Sequence, residues 1–292
     1  MNIETINNNA MRANILVEAL PYIQKFTGKV VVIKYGGNAM ISPELFDAVI
    51  EDIILLKLIG IHAVLVHGGG PEINDMLDRL GIKPRFINGL RYTDKETMEI
   101  VQSILCGKVN KDLVSTIVRM GGNAVGLCGL DDKLFEAKKL NTGDGEDYGY
   151  VGEIVEVNPG IVAQAIRDGQ IPVVATVAFG IDEETPYNIN ADTAAAELAI
   201  ALRAEKLILL TNTRGVLREK DNDESLIKVI EMNEIDNLKK DGIIEGGMIP
   251  KVECCAQAIE GGVRRTHILD GRIPHSILIE MLTDEGAGTM IQ

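Results

Sequence analysis

Two lysines and one aspartate are the residues of this sequence whose types and positions could do chemistry. Lys34 stands just before a pair of glycines, Lys251 follows another pair, and Asp192 lies at the predicted start of an alanine-rich helix. Glycine lets backbone N–H groups approach a ligand closely because it has no Cβ. Positive charge and fixed donors are what phosphoryl transfer requires, because negative charge develops on the equatorial oxygens of the moving group.

Lys34 must be positioned by the apolar residues 30–33, which predict a strand buried on both faces of a parallel sheet. A helix follows that is capped by Ser42, has Pro43 in its first turn and stops at Gly60. Strand, cationic glycine loop and helix together make an anion site at the carboxyl end of a strand. The loop matches neither G-x-x-x-x-G-K-[S/T] nor G-x-G-x-x-G. The alternative is a tight turn with a solvated lysine.

A second glycine loop, H-G-G-G-P from residue 67, follows a predicted strand at residues 62–66 and opens another helix. Two such loops after successive parallel strands would lie side by side at the carboxyl edge of one sheet. A third glycine loop, residues 244–251, leads into an apolar helix. Asn188 and Asn190 precede Asp192 and point the same way if extended, although a single residue suffices to cap the helix.

The other elements follow from hydrophobic periodicity and turn residues. Predicted strands lie at residues 124–128, 171–177, 206–211, 267–269 and 289–291, with a hairpin at 133–140 and 149–155. Predicted helices lie at 10–26 with a kink at Pro21, at 93–120 with a capping box from Thr93, at 158–168 and at 274–282. Residues 86–92 are irregular or strand-like, and residues 221–242 form a charged surface excursion.

The composition bounds the class of protein. The 292 residues are 46% hydrophobic and only 4% aromatic, which suits a Val/Ile/Leu/Ala core around parallel strands. A net charge of −14 without a block of Lys/Arg argues against nucleic acid and anionic membranes as partners. The four cysteines form no C-x-x-C pair and fit a reduced, cytoplasmic protein. No run reaches the roughly 18 apolar residues of a membrane span.

Six segments together resemble the amino acid kinase family, and within it the arginine-inhibited kinases that act on N-acetyl-L-glutamate. They are KYGGNAM (34–40), VHGGGP (66–71), GLRYTD (89–94), YNINAD (187–192), LLTN (209–212) and GGMIPK (246–251). The resemblance implies an α/β fold, a three-layer αβα sandwich with a mostly parallel central sheet and two lobes. Residues 1–26 would be an arm for oligomerisation, 27–203 the acetylglutamate-binding lobe and 204–292 the ATP-binding lobe.

The resemblance also implies a reaction, the second step of arginine synthesis. ATP, with Mg²⁺ held mainly by its phosphates, would phosphorylate the γ-carboxylate of N-acetyl-L-glutamate. Lys34 and Lys251 would stabilise the transition state, Asp192 would orient both lysines, and no residue is assigned to a metal. Acetylglutamate would be held by Gly69, Gly70, Arg91, Asn188 and Asn190. The nucleotide would be held by Gly36, Gly37, Thr211, Asn212, Gly215, Gly246, Gly247 and Met248.

The arm has a family interpretation as well. Arginine-inhibited members carry an extra helix with the segment LPYI, here residues 20–23, and their helices interlace dimers into a hexameric ring, a trimer of dimers. The resemblance implies feedback inhibition by L-arginine at Tyr22, Lys206, His267, Glu280 and Gly286. From the residues alone, His267 is equally compatible with a buried strand histidine, and the arm with packing on its own lobe.

Three other functions remain open at the level of sequence. A related kinase could act on aspartate, glutamate, carbamate or a nucleoside monophosphate, although Arg91 and the Asn188/Asn190 pair favour an acetylated amino acid. A nicotinamide oxidoreductase would need G-x-G-x-x-G with an acidic residue about 20 positions later. A non-catalytic amino acid sensor could keep the arginine pocket, but it would not need Lys34, Asp192 and Lys251.

Overall fold

The computed structural model describes residues 3–36, 43–220 and 222–292, so the predicted loop residue Gly37 and the predicted cap Ser42 lie outside the described residues. Its helices are α1 (Ile3–Glu18), α2 (Leu20–Phe26), α3 (Pro43–Leu58), α4 (Gly70–Arg79), α5 (Lys95–Gln102), α6 (Asn110–Arg119), α7 (Gly160–Arg167), α8 (Ala191–Ala201), α9 (Ile235–Lys240), α10 (Met248–Glu260) and α11 (Ser276–Leu282). Its strands are β1 (Val30–Tyr35), β2 (His62–His67), β3 (Phe86–Ile87), β4 (Leu90–Arg91), β5 (Ala124–Gly129), β6 (Phe135–Lys139), β7 (Gly152–Val157), β8 (Ile171–Gly180), β9 (Tyr187–Asn188), β10 (Lys206–Thr211), β11 (Val229–Ile230), β12 (Arg265–Asp270) and β13 (Gly288–Ile291).

β1 lies near the middle of one large sheet. The strand order is β11-β13-β12-β10-β1-β2-β8-β6-β7, and β5 and β9 also pair with β8. Among the described residues the pairs of this sheet are parallel except for β12–β13, β6–β7 and β8–β9. The carboxyl ends of β1, β2, β8 and β10 therefore meet at one edge, as the sequence predicts.

Apolar cores cover both faces of the sheet. Successive side chains of a strand point to opposite faces, so Val32 of β1 packs into one core while Val31 and Ile33 pack into the other. Side chains of α8 and α10 complete the first core, and side chains of α3 to α6 and of α11 complete the second. The predicted three-layer αβα arrangement is confirmed.

Three predicted features of the helices are wrong. The helix of the arm begins at Ile3 and not at residue 10. The helix after residue 93 is capped by Asp94 rather than Thr93, because the Asp94 carboxylate accepts the N–H of Thr97 at 2.8 Å. The arm breaks at Ala19, between α1 and α2, and not at Pro21, which sits in the first turn of α2 where a missing N–H breaks no hydrogen bond. The charged excursion also contributes an edge strand, β11, to the sheet.

The predicted helix over residues 93–120 contains a π-helical stretch, Ser103–Val109, between α5 and α6. Such wide turns occur frequently at functional sites. Here the turn brings Leu105 against the second glycine loop, so that a Cβ added to Gly69 would lie only 2.7 Å from Cδ2 of Leu105. The hydrophobic period of the sequence cannot distinguish this stretch from an ordinary helix.

The second helix of the arm packs on the rest of the chain, against α11. Phe26 of α2 is buried, whereas α1 and its junction with α2 expose a row of large apolar side chains. These exposed residues are Met11, Ile15, Leu16, Val17 and Leu20. Among the helices of the described residues, none combines the length and the apolar character needed to cross a membrane.

Candidate active site

Lys34, Asp192 and Lys251 meet at one point although they are far apart in the chain. Lys34 lies near the carboxyl end of β1, Asp192 in the first turn of α8 and Lys251 in the first turn of α10. The ammonium group of Lys34 is 2.9 Å from Oδ1 of Asp192, and that of Lys251 is 2.6 Å from Oδ2. One carboxylate therefore holds two cations, each through a different oxygen.

This charged triad is shielded from water. The exposed fractions of the side chains are 10% for Lys34, 11% for Asp192 and 20% for Lys251. Burial alone would raise the pKa of Asp192, but the nearby ammonium groups of Lys34 and Lys251 outweigh it and hold that pKa below its ordinary value. The carboxylate is thus ionised at neutral pH and acts as a fixed anchor for both lysines.

The glycine loops after β1 and β2 lie side by side, as predicted. The N–H of Gly68 donates to the carbonyl of Tyr35 at 3.2 Å. Gly36 has a φ of 156°, and a Cβ on it would lie 3.2 Å from the nitrogen of Gly68. Glycine at position 36 therefore permits both the backbone conformation and the close approach of the two loops.

A cavity of about 220 Å³ opens beside Lys34 and Asp192. We call it the substrate cavity. Its wall is formed by the loop after β2, the β3–β4 hairpin and the start of α8, with apolar surface from Phe86, Leu105 and Ile189. The residues predicted to hold the acetylated amino acid all line it: Gly69, Gly70, Arg91, Asn188 and Asn190.

Arg91 is held in place at the wall of the substrate cavity. Its Nη2 donates to Oδ1 of Asn74 at 2.6 Å and to the carbonyl of Gly70 at 3.3 Å, and the guanidinium lies 4.9 Å from the centre of the Phe86 ring. Its Nη1 is buried and has no hydrogen-bond partner among the described residues. A guanidinium with a free, oriented N–H group is suited to bind a carboxylate.

Two residues that orient Arg91, Asn74 and Phe86, are not among those that the sequence patterns indicate. Asn74 stands four residues after Gly70 on α4, a spacing that places both on one face of the helix. That spacing could have indicated Asn74, because it places the amide on the face of α4 that also carries Gly70 of the glycine loop. Phe86 has no such signal, since its contact with Arg91 depends on the β3–β4 pairing.

Asn188 and Asn190 have different contacts. Nδ2 of Asn188 donates to Oγ1 of Thr93 at 3.3 Å, and the Thr93 hydroxyl donates to the carbonyl of Arg91 at 2.9 Å. Asn190 is the N-cap of α8, because its Oδ1 accepts the N–H groups of Asp192 and the following residue at 2.9 and 3.2 Å. Asn190 therefore fixes the turn that presents Asp192, which is the capping role that the sequence left open.

A larger cavity of about 450 Å³ opens on the other side of the ion pair, beside Lys251. We call it the nucleotide cavity. Six of the residues predicted for the nucleotide line it: Thr211, Asn212, Gly215, Gly246, Gly247 and Met248. Leu217 and Ile243 add apolar surface suited to a flat ring, and Arg218 and Lys220 add positive charge. Gly36 is not part of this wall and lies instead at the loop contact described above.

A third cavity, of about 250 Å³, lies between α2, α11 and the turn before β13. Four of the predicted effector residues line it: Tyr22, Lys206, Glu280 and Gly286. His267 is not in the wall, because it lies behind Glu280, with its Nδ1 2.9 Å from Oε1. Burial would raise the pKa of Glu280, but the nearby His267 ring and the charge of Lys206 more than offset it and keep that pKa low.

Comparison with known proteins agrees with this geometry. Residues 29–270 match the Amino acid kinase family. Acetylglutamate kinase of Heliobacterium modesticaldum is 56% identical over 288 residues, which cover 96% of this chain and 97% of that protein. N-acetylglutamate synthase from Neisseria gonorrhoeae, complexed with coenzyme A and N-acetyl-glutamate, matches 96% of this chain with a TM-score of 0.83 at 26% identity.

The same synthase complexed with coenzyme A and L-arginine gives a TM-score of 0.76 at 25% identity. This chain spans 63% and 65% of the lengths of those two synthase chains. The family match covers most of the chain, and the identity to the bacterial kinase extends over nearly all of both proteins. The chain therefore belongs to the amino acid kinase family.

Proposed function

We propose that this chain transfers the γ-phosphoryl group of ATP to the γ-carboxylate of N-acetyl-L-glutamate, giving N-acetyl-L-glutamyl 5-phosphate for arginine biosynthesis. The observation that carries the proposal is that the Lys34–Asp192–Lys251 triad lies where the substrate and nucleotide cavities meet. The similarity to a protein named acetylglutamate kinase over nearly its full length supports this choice of substrate.

The triad suits a reaction between two anions. The acceptor carboxylate is ionised near pH 7, since a glutamate side chain has a pKa of about 4.3, so no general base is needed. A carboxylate oxygen forms a bond to the γ-phosphorus as the bond to the β,γ-bridging oxygen breaks, and ADP leaves with that electron pair. Lys34 on the acceptor side and Lys251 on the nucleotide side stabilise the charge on the transferred group.

We assign the phosphoryl donor to ATP with Mg²⁺. Both oxygens of Asp192 are paired with lysines, so the nucleotide phosphates are the oxygen ligands that a divalent cation would use in the triad region. When bound, Mg²⁺ supplies further neutralisation of phosphate charge. The lysines hold the reacting oxygens in position, and Gly246 and Gly247 offer backbone N–H groups at the start of α10 beside the nucleotide cavity. The N–H of Met248 instead donates to the carbonyl of Glu245 at 3.1 Å.

An ATP-dependent hydroxamate assay tests the substrate, because hydroxylamine traps acyl phosphates. Purified protein is incubated with MgATP, hydroxylamine and N-acetyl-L-glutamate, glutamate or aspartate in parallel. We expect hydroxamate with acetylglutamate and at most a few per cent of that rate with the two free amino acids. An equal or higher rate with glutamate or aspartate would assign the chain to a sister kinase, and no product with any acceptor would contradict kinase activity itself.

Removing the guanidinium of Arg91 tests the binding mode. We expect Arg91→Ala to raise KM for acetylglutamate by about tenfold to 100-fold, as loss of a charge-assisted hydrogen bond does, with a much smaller change in kcat. Arg85→Ala is the matched control, because Arg85 stacks on Tyr92 at 4.6 Å and does not line the substrate cavity. Steady-state kinetics with acetylglutamate as the varied substrate measure KM and kcat of both variants. A KM equal to that of the control would remove Arg91 from acceptor binding.

We also propose that L-arginine binds the third cavity and inhibits the reaction. Glu280, Asp284 and Glu285 offer carboxylates there for a guanidinium, and Lys25 and Lys206 offer ammonium groups for an α-carboxylate. The Asp284 carboxylate raises the pKa of the nearby Tyr22 hydroxyl, and both residues line this cavity, so the arm and the end of α11 meet there.

Two truncations separate the arm's roles. Millimolar L-arginine should inhibit the full chain; deletion of residues 1–25 should abolish inhibition, because it removes Tyr22 and Lys25 from the cavity wall. Deletion of residues 1–19 retains α2 and should retain inhibition. Initial rates at varied arginine concentration measure the effect, and activity without arginine is the control. An insensitive full chain, or a fully inhibited 1–25 deletion, would refute the proposal.

The oligomeric state is part of the same proposal. The exposed apolar row of α1 is suited to pack on another subunit, which supports a hexamer arranged as a trimer of dimers. Light scattering on the full chain and on the 1–19 deletion measures the molar mass of the assembly.

We further propose that residues 27–203 form the acetylglutamate-binding lobe and residues 204–292 the ATP-binding lobe. We also propose a cytoplasmic location, in keeping with four free thiols.

A further inference from the structure

A buried polar chain runs beneath the second glycine loop, outside the substrate cavity. His67, the last residue of β2, is completely buried, and Asn110, the first residue of α6, is 1% exposed. Nδ1 of His67 is 2.9 Å from the carbonyl oxygen of Gly68, and Nε2 is 3.1 Å from Nδ2 of Asn110. The reaction described above uses neither side chain directly.

The orientation of the Asn110 amide is set by its neighbours. Its Oδ1 accepts a hydrogen bond from Nζ of Lys111 at 3.0 Å. Its Nδ2 has two hydrogens and faces three acceptors: Nε2 of His67 and the carbonyls of Val173 at 2.8 Å and Leu127 at 3.2 Å. The amide nitrogen therefore faces the His67 ring, and the oxygen faces away from it. The Asn110 amide is tightly packed, because a Cβ added to Gly126 would collide with Oδ1.

These contacts determine the tautomer of His67. A carbonyl oxygen can only accept, so Nδ1 must carry the proton that it donates to Gly68. Nε2 then has no proton and shares the two hydrogens of the Asn110 amide with the Val173 and Leu127 carbonyls. Burial lowers the pKa of His67 to about 4, and the ring is therefore neutral at physiological pH. His67 thus donates at one nitrogen and accepts at the other.

The hydrogen bond to the Gly68 carbonyl also orients the next N–H group. In a planar trans peptide the C=O and the following N–H point in opposite directions, so a carbonyl turned towards His67 turns the N–H of Gly69 away from it. Gly68 and Gly69 both line the substrate cavity. The N–H of Gly69 has no partner within the described parts of the chain, which leaves it available to a ligand.

We propose that His67, held by Asn110, is a positioning residue for phosphoryl transfer: it fixes the Gly68–Gly69 peptide so that the Gly69 N–H points at the reacting oxygens. The proposal rests on the function assigned above, because those oxygens belong to the acceptor carboxylate and the moving phosphoryl group. A fixed N–H donor stabilises the transition state more than the bound substrate, because negative charge develops in the transition state. Loss of this donor should therefore lower kcat and leave KM nearly unchanged.

The tautomer can be measured in the wild-type protein without any assay of activity. Long-range ¹H–¹⁵N correlation on ¹⁵N-histidine-labelled protein distinguishes protonated from unprotonated ring nitrogens, and comparison with His67→Asn assigns the signal among the four histidines. We expect a neutral ring with the proton on Nδ1. A proton on Nε2 would overturn the proposal, because Nδ1 could then not donate to Gly68. This result is independent of whether acetylglutamate is the substrate.

Two amide variants test the effect on the reaction. Asparagine places its nitrogen near the position of Nδ1 and can still donate to Gly68, whereas glutamine places its amide near Nε2 and leaves the Gly68 carbonyl without its donor. We expect His67→Asn to retain kcat within about threefold and His67→Gln to lower kcat by about tenfold to 100-fold, as a misplaced group does, with little change in KM for ATP.

His62→Gln is the matched control, because His62 begins the same strand at the end remote from the loop. It should leave kcat unchanged. Equal kcat values for His67→Asn and His67→Gln would overturn the proposal, as would a loss seen only in thermal stability. If neither variant folds, the tautomer measured for His67 in the wild-type protein supports or overturns the proposal.

Discussion

Lys34→Ala and Lys251→Ala are each expected to lower kcat by about 100-fold or more, the loss typical of a single preorganised donor at a developing charge. Each variant leaves Asp192 paired with the other lysine, so the fold should persist. The reason for the loss is specific to the reaction, because two anions must approach each other and one of the two cations between them is missing.

The controls are two lysines that lie near β1 and α10 but line neither the substrate cavity nor the nucleotide cavity. Lys29 directly precedes β1 and its ammonium is 3.9 Å from Glu205, and Lys239 forms a partly exposed pair with Glu253 of α10 at 2.8 Å. Alanine at either control position should leave kcat within about twofold, since exposed ion pairs contribute little. Steady-state kinetics with both substrates saturating measure kcat. Near-normal kcat in either active-site variant would remove that lysine from the catalytic role.

Asp192→Asn is expected to damage both catalysis and stability. The variant keeps the shape of the side chain but leaves two ammonium groups close together in a shielded place without their counter-charge. Removing one partner of a buried ionic group costs about 3 kcal/mol or more of the free energy of unfolding, and kcat should fall by about 100-fold because neither lysine remains fixed. Urea unfolding and steady-state kinetics measure the two effects.

The acid dependence of stability gives a second readout. The pKa of Asp192 is lower in the folded protein than its ordinary value. The ionised carboxylate therefore stabilises the fold fully at any pH above the ordinary pKa. This stabilisation is lost as the pH falls through the lower pKa of the folded state. The difference in stability between wild type and Asp192→Asn should therefore shrink in acid.

Glu197→Gln, on the same helix, is the control for Asp192→Asn, because this carboxylate only accepts the amide of Gln257 at 2.6 Å. It should leave kcat unchanged. A variant Asp192→Asn as stable and as active as Glu197→Gln would show that the carboxylate does not organise the lysines.

The sequence was sufficient to predict the elements that carry the chemistry. β1, β2 and β10 are continuous apolar runs followed by glycine or polar residues, and the rule that parallel strands end at one edge brings Lys34 and the H-G-G-G-P loop together. The convergence of Lys34 with Lys251 needed the family resemblance as well, because no local pattern relates β1 to α10.

What the sequence could not predict depends on contacts between distant residues. The π-helical stretch keeps a helical hydrophobic pattern, and it contacts the second glycine loop through Leu105, far from that loop in sequence. The link from Asn110 to His67 joins two elements whose approach follows from the sheet order rather than from spacing. His267 was placed in the effector site with Glu280, yet only its partner reaches the cavity.

The positions of the two lysines of the triad also bear on how the protein becomes active after synthesis. One lies on a strand near the beginning of the chain, and the other lies on α10, near the end. A nascent or truncated polypeptide that lacks α10 lacks Lys251, so we expect it to be inert even if β1 and β2 have formed. Recovery of enzyme activity during refolding should therefore report the docking of α10, and it should lag behind spectroscopic signals from the earlier strands.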